Sequence, residues 1–196
     1  MKKIIVIFFS VVLLFSVASC SSKENPEEVV ANGLTAIKNL DLIKMQKYID
    51  SDDIAEEEDI LGDGFEDQDV EYVELLVKNL EYEIISSNID DENAVVETKI
   101  TNIDMNIVME EYISQAFILA MSNIGEEEVD EKEMQKEMEE LFIELLSDED
   151  VEMTTIDVDI TLNDVDGQWK IDLNNQLINA IFGGFMDVVE ELEEVE

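Results

Sequence analysis

The sequence predicts an α+β domain, in which a curved antiparallel sheet of two hairpins packs against helices. Two observations predict this class. Apolar residues recur at helical spacing in several segments, and two shorter regions instead alternate apolar and polar residues around polar turns. The chain has 196 residues, of which 46% are hydrophobic. That is enough to bury one core, so a single α+β domain is expected over residues 27–196.

Helices are predicted wherever apolar residues follow a 3.6-residue period. The predicted helices span 26–40, 41–49, 70–80, 104–123, 131–147 and 173–192. In the second helix, Leu42, Met45 and Ile49 are expected to face inward. The entirely apolar segment 116–121 is too short, and too close to charged residues, to span a membrane, so it is predicted as part of a core helix. Gly183 and Gly184 are expected to interrupt or bend the last helix.

Strands are predicted where apolar and polar residues alternate. The predicted strands span 81–89, 95–103, 154–163 and 168–172, with turns at 90–93 and 164–167. Ile156, Val158 and Ile160 share one face of the clearest strand, whereas Asp157 and Asp159 lie on the other. One buried face and one wet face are typical of an antiparallel sheet. The acidic segments 50–68 and 124–131 are predicted as loops or connectors.

The N-terminus carries the features of a secretory signal peptide, with a signal helix expected over its apolar stretch. Lys2 and Lys3 precede an apolar run at 4–15, which is broken only by a serine. Small residues then lead to a cysteine, as at a cleavage site. The run Val17, Ala18, Ser19, Cys20 resembles the lipobox of bacterial lipoproteins.

The lipobox resemblance implies that residues 1–19 are removed and that the thiol of Cys20 receives a lipid. Residues 20–26 would form a lipidated tether, and its acyl chains would anchor the protein outside the cell membrane. The alternative is an uncleaved membrane helix. The apolar stretch of about 16 residues is shorter than the roughly 20 that span a bilayer, which favours the signal peptide.

The charge is strongly acidic and limits the classes of partner. There are 51 acidic and 11 basic residues, no histidine, and a net charge of −40. Such a surface repels nucleic acid, whose binding depends on cations that neutralise phosphates. It also repels anionic lipid headgroups, so the lipid on Cys20 is expected to supply the membrane attachment. The acidity is either a solvated surface suited to its surroundings or a diffuse attractor of cations and cationic peptides.

The order of predicted elements resembles the nuclear transport factor 2-like (cystatin-like) fold. The segment 166–172 (DGQWKID), followed by Leu177, residues 179–181 and the glycine pair, is similar to that of uncharacterised lipoproteins of Gram-positive bacteria. In that fold a curved sheet wraps around helices and forms a cone whose mouth can hold a small molecule. The resemblance implies a fold and a location, and it implies no reaction.

Few residues stand out as candidate sites. Tyr82, Tyr112 and Trp169 are the candidates for lining a ligand pocket, although packing in the core is the better account of all three. With no histidine and a single cysteine, no catalytic residues, disulfide or metal site are predicted. The acidic residues between 63 and 71 do not follow the calcium-loop order, so only weak, non-specific cation binding is expected. No cofactor is predicted.

The sequence therefore predicts a membrane-anchored extracytoplasmic lipoprotein that is a non-catalytic binding or interaction module. Its partner would be a small apolar ligand in the cone or a cationic peptide or protein on the surface. Two alternatives remain open. One is a small enzyme that uses a buried carboxylate in a pocket, and the other is a structural or accessory protein of the cell envelope.

Overall fold

A computed structural model describes residues 23–50, 67–90, 92–122 and 131–193. The helices in these ranges are α1 (Pro26–Lys38), α2 (Leu42–Tyr48), α3 (Asp67–Val77), α4 (Met105–Ser122), α5 (Glu131–Ser147), α6 (Asn175–Ile181) and α7 (Phe185–Glu193). The strands are β1 (Glu81–Asp90), β2 (Asn93–Ile103), β3 (Met153–Val165) and β4 (Gln168–Ile171). The predicted signal peptide and Cys20, and most of both acidic connectors, lie outside the described residues.

The four strands form one antiparallel sheet in the order β1-β2-β3-β4. The two predicted hairpins are therefore present, and they join because β2 pairs with β3 along its whole length, from Asn93 opposite Asn163 to Ile103 opposite Met153. A register shift between Ile84 and Ser86 places a bulge in the edge strand β1. The α+β class and the antiparallel sheet predicted from the sequence are confirmed.

The inner face of the sheet carries the main core. Side chains of β2 and β3 alternate between buried and exposed, and Val96, Ile100 and Ile160 are fully buried. Helices α1 and α6 cover this face through residues such as Leu34 and Leu177. The outer face keeps the polar residues of the alternation in water, as the sequence pattern predicted.

A second, smaller core lies among the remaining helices. Ile103, Met105, Val108 and Leu146 are its buried members, and half-buried residues of α3, α4, α5 and α7 pack against them. It begins where β2 ends, so the helical layer extends from one end of the sheet. The opposite end carries the β1–β2 and β3–β4 turns, and the antiparallel register separates the two ends by about 33 Å.

The predicted break in the last helix is confirmed at Gly183 and Gly184, which separate α6 from α7. Both have positive φ, of 56° and 86°, a region that glycine adopts without steric cost. A side chain at Gly183 would collide with the carbonyl oxygen of Ile103. The Gly183 carbonyl accepts a hydrogen bond of 3.0 Å from the amide of Met105. The break thus fixes the α6–α7 turn against the start of α4.

Two sequence predictions of burial are wrong. Leu42 was expected to face inward, but it is exposed, because the core contacts of α2 come from Tyr48, Ile49 and half-buried Met45. The apolar segment 116–121 was expected in the core, yet Phe117 and Ile118 are largely exposed. Among the described residues, α4 packs mainly against α5 and α7, and its apolar residues outnumber the positions that these neighbours bury.

Candidate functional site

Helix α4 presents apolar side chains to solvent on its outer side. Ile113, Phe117 and Met121 follow one another at four-residue spacing, so they lie in one row, and Ile118 lies beside that row. Phe117 is 66% exposed, Ile118 64% and Met121 52%. We name these four residues the α4 face. Single exposed apolar residues are ordinary, but a contiguous group on one helix is a candidate interaction surface.

The first half of α4 is packed against the rest of the domain. Asp104, which directly precedes α4, caps its N-terminus by accepting a hydrogen bond of 3.0 Å from the Asn106 amide. Met105 and Val108 are buried in the second core. Tyr112 packs edge-on against Phe142 of α5, with ring centroids 5.4 Å apart and planes at 70°. The first half of α4 is therefore anchored in the second core, and the α4 face lies on its second half, where no residue from 113 to 122 is fully buried.

The surroundings of the α4 face are acidic. Glu110 and Glu111 are exposed on the preceding turn of α4, and Glu111 accepts a hydrogen bond of 2.8 Å from Gln115. On the adjacent helix α5, Lys136 lies 3.1 Å from Glu140. This hydrogen-bonded partner raises the pKa of Lys136. A partner that covers the α4 face thus meets apolar side chains in a field dominated by carboxylates.

A second feature is the point where the chain enters the domain. The ammonium of Lys23 lies 2.5 Å from a carboxylate oxygen of Asp164 and 2.9 Å from the centre of the Trp169 ring. The hydrogen bond from Lys23 lowers the pKa of Asp164, and the Gly167 amide lowers it further. Glu24 lies 3.5 Å from Lys47 of α2. The first described residues are therefore bound to the β3–β4 turn and to α2.

The structure does not bring the three candidate pocket residues together. Trp169 is 4% exposed and belongs, with half-buried Tyr82, to the main core. The Tyr82 hydroxyl donates to the carbonyl of Ala31 and pairs with the Thr35 hydroxyl, each at 3.0 Å, so it ties β1 to α1. Tyr112 instead contacts the second core through Phe142.

Asn102 is a structural residue that the sequence analysis did not identify. Its amide nitrogen donates to the carbonyls of Leu76 and Ile181, at 2.7 and 2.6 Å, and its oxygen accepts from the Ile103 amide at 2.9 Å. These bonds join the ends of α3 and α6 to β2. Asparagine is uncommon in strands, so its place at an inward position of a β-branched run was a usable signal.

The described residues bury few polar side chains. Among residues 23–50, 72–90, 92–122 and 132–190, the buried polar side chains besides the aromatic Tyr48 and Trp169 are those of Thr98 and Asn102, and no carboxylate is buried. Asp157 and Asp159 are exposed on the outer face of the sheet, as predicted. Among the same residues, no group of three or more carboxylate or cysteine side chains is arranged to hold a metal ion.

Within the part of the chain that the structure describes, none of the helices is both long and apolar enough to cross a membrane. Comparisons of the chain with protein-family models, with curated proteins and with solved structures found no match.

Proposed function

We propose that this protein is a lipid-anchored extracytoplasmic interaction module without catalytic activity, and that it binds a cationic, amphipathic segment of another protein. The observation that carries the proposal is the α4 face, a group of exposed apolar side chains on a helix whose first half is packed in the second core. Exposing such a group to water costs free energy that a partner recovers. The lipobox at Val17, Ala18, Ser19 and Cys20 supports the anchored location.

Charge decides which partner fits the α4 face. Glu110 and Glu111 adjoin it, and the chain carries a net charge of −40. A second copy of the chain would bring the same charge and be repelled. A helix with leucine-like residues on one side and lysine or arginine on its flanks would bury the apolar row and pair with the carboxylates.

The main core favours this surface over a pocket. The inner face of the sheet is occupied by the chain's own side chains, which are covered by α1 and α6. No carboxylate is buried among residues 23–50, 72–90, 92–122 and 132–190, and an enzyme of the alternative class would need a carboxylate tuned by burial. The small-ligand and enzyme alternatives therefore have less support than surface binding.

The finer fold remains part of the proposal. We propose that the domain belongs to the nuclear transport factor 2-like class, because the order of helices and hairpins and the single wet face of the sheet agree with that architecture. Membership in the Gram-positive lipoprotein group rests on the segment 166–172 and the lipobox.

The anchor is tested by intact mass spectrometry of the protein extracted from bacterial membranes. We expect a mass that corresponds to cleavage before Cys20 plus a diacylglyceryl group joined to its sulfur by a thioether. The Cys20→Ala variant should lack this mass, since it has no thiol to modify. An uncleaved or unmodified wild-type chain would refute the anchored location and leave the α4 proposal standing.

The α4 face is tested by binding of a labelled helical peptide with one leucine face and one lysine face, measured by fluorescence anisotropy. We expect binding that weakens as salt is added, because charge contributes to it. Ile118→Ser should weaken binding about tenfold, the effect of removing one well-buried aliphatic contact. A peptide with glutamate in place of lysine should not bind.

Ile89→Ser is the matched control, because Ile89 is a similarly exposed isoleucine, on β1 instead of α4. It should leave peptide binding unchanged. Equal losses in both variants, or equal binding of the glutamate peptide, would show that the peptide adheres to any apolar side chain, and the α4 proposal would be wrong.

A further inference from the structure

Helix α2 presents a second exposed apolar group, with different surroundings. Leu42 is 65% exposed and Ile43 is 83% exposed. Ile43 and Lys47 lie four positions apart, so they share a side of the helix. The C-terminal end of the helix is attached to the domain, since Tyr48 and Ile49 are buried in the main core. We name Leu42, Ile43, Lys44 and Lys47 the α2 patch.

The α2 patch lies beside the entry of the chain into the domain. Glu24 contacts Lys47 and also accepts a hydrogen bond of 3.2 Å from Asn32 of α1. Lys23 is bound to Asp164 and Trp169. Cys20 is three residues before Lys23, and three residues of fully extended chain reach at most about 11 Å. A lipid on Cys20 therefore brings the bilayer surface close to α2.

Lysines gather at this part of an otherwise acidic surface. Lys23, Lys44, Lys47 and Lys170 are four of the nine lysines in the described residues. Lys170 donates to the backbone carbonyls of Gln46 and Lys47, at 3.0 and 2.6 Å. Three of the four have acidic partners: Asp164 for Lys23, Asp41 for Lys44 and Glu24 for Lys47. These lysines offset the carboxylates paired with them, which lessens the repulsion between this part of the surface and anionic headgroups.

We propose that the α2 patch rests on the bilayer to which Cys20 anchors the chain. Leu42 and Ile43 enter the headgroup region, and Lys44 and Lys47 extend toward anionic headgroups while their aliphatic stems stay in contact with the apolar boundary. The inference rests on the proposed lipidation of Cys20 and adds an orientation to it. The domain is held against the membrane by its α2 side and does not swing freely on a tether.

A bilayer fits this patch better than a protein does. Two aliphatic side chains bury far less than the roughly 1,200 Å² that a specific protein interface needs. The same two side chains are sufficient beside a lipid anchor, because the anchor already supplies the attachment and the patch has only to select an orientation. A second copy is further disfavoured by the net charge of −40.

The test uses the full chain, processed in bacterial membranes and reconstituted into vesicles of equal parts phosphatidylcholine and phosphatidylglycerol. Cys20 is the only cysteine, and lipidation blocks its thiol, so an introduced cysteine can be labelled selectively. Ile43→Cys is labelled with an environment-sensitive fluorophore and exposed to nitroxide-bearing lipids. Phe117→Cys on the α4 face is the control, because Phe117 is also largely exposed.

We expect nitroxide lipids to quench the label at position 43 at least several-fold more than the label at position 117. Comparable quenching at both positions, or none at position 43, would overturn the proposed orientation. Protection of position 43 from a water-soluble quencher without quenching by the lipids would also overturn it and would indicate a protein on the patch.

Mass spectrometry of the same samples separates the two proposals. If Cys20 carries no lipid, the anchored location fails and the orientation fails with it. If Cys20 is lipidated but position 43 stays in water, the orientation alone is wrong. Both substituted side chains are largely exposed, so neither variant is expected to disturb folding.

Discussion

The sheet with its covering helices α1 and α6 (the sheet layer) and the helices around the second core, α3, α4, α5 and α7 (the helical layer), bury their apolar side chains to different extents. On β2 and β3 the inward residues are enclosed by α1 and α6, and Val96, Ile100 and Ile160 have no measurable exposure. Helix α4 is also rich in apolar residues, but several of them, such as Phe117 and Ile118, stay largely exposed. A layer that already buries its apolar surface contributes stability, whereas a layer that leaves such surface in water is available for binding.

The two exposed apolar groups differ in the charge around them. The α2 patch contains lysines and adjoins the entry of the chain, whereas the α4 face adjoins Glu110 and Glu111 on a helix that begins at the opposite end of the sheet. Apolar contact alone does not distinguish a bilayer from a protein. The neighbouring charges do. Carboxylates beside the α4 face favour the cationic partner proposed for it, and lysines that offset the carboxylates of the α2 patch lessen its repulsion from the proposed bilayer.

The largest expected effect comes from a substitution in the main core, which is compared with a substitution on the α4 face. Ile160→Ala should lower the free energy of unfolding by about 2–5 kcal/mol, because it removes buried methyl groups and leaves a cavity. Phe117→Ala should change the free energy of unfolding by no more than about 0.5 kcal/mol, since the ring is already mostly in water. Urea unfolding followed by the fluorescence of Trp169, the only tryptophan, measures both.

The comparison fails if Phe117→Ala destabilises the protein as much as Ile160→Ala does. That result would mean that the α4 face is covered in solution, and it would remove the main support for surface binding. A small effect of both substitutions would instead show that β3 does not lie in a close-packed core.

The sheet layer was largely predictable because its alternation has a physical cause that acts along the strand. One buried face and one wet face require a two-residue period, and the period at 154–163 identified both β3 and the exposed positions of Asp157 and Asp159. The helix break was predictable for a similar local reason, because Gly183 and Gly184 adopt a backbone conformation that other residues avoid.

The exposed groups were not predictable, because burial on a helix depends on which neighbours cover it. The run 116–121 has the composition of a core helix, and nothing in its sequence indicates that its neighbours leave Phe117 and Ile118 uncovered. The position of Leu42 likewise depends on the attachment of α2 through Tyr48 and Ile49. The proximity of Lys23 to Trp169, across most of the chain, has no local signal at all.

Asn102 joins the two layers, and its replacement tests whether they depend on each other. Asn102→Leu fills a similar volume but leaves the carbonyls of Leu76 and Ile181 without their donor. The expected loss in the free energy of unfolding is about 1–3 kcal/mol, the cost of orphaning buried polar groups. Asn88→Leu, at an exposed position on β1, is the matched control, and its free energy of unfolding should stay within about 0.5 kcal/mol of the wild-type value.

Hydrogen exchange should accelerate at the ends of α3 and α6 in Asn102→Leu while the centres of β2 and β3 stay protected, because the main core does not need this bond. Uniform acceleration across both layers would show that they unfold as one unit, and the distinction between a stable sheet layer and a separate binding layer would then be wrong.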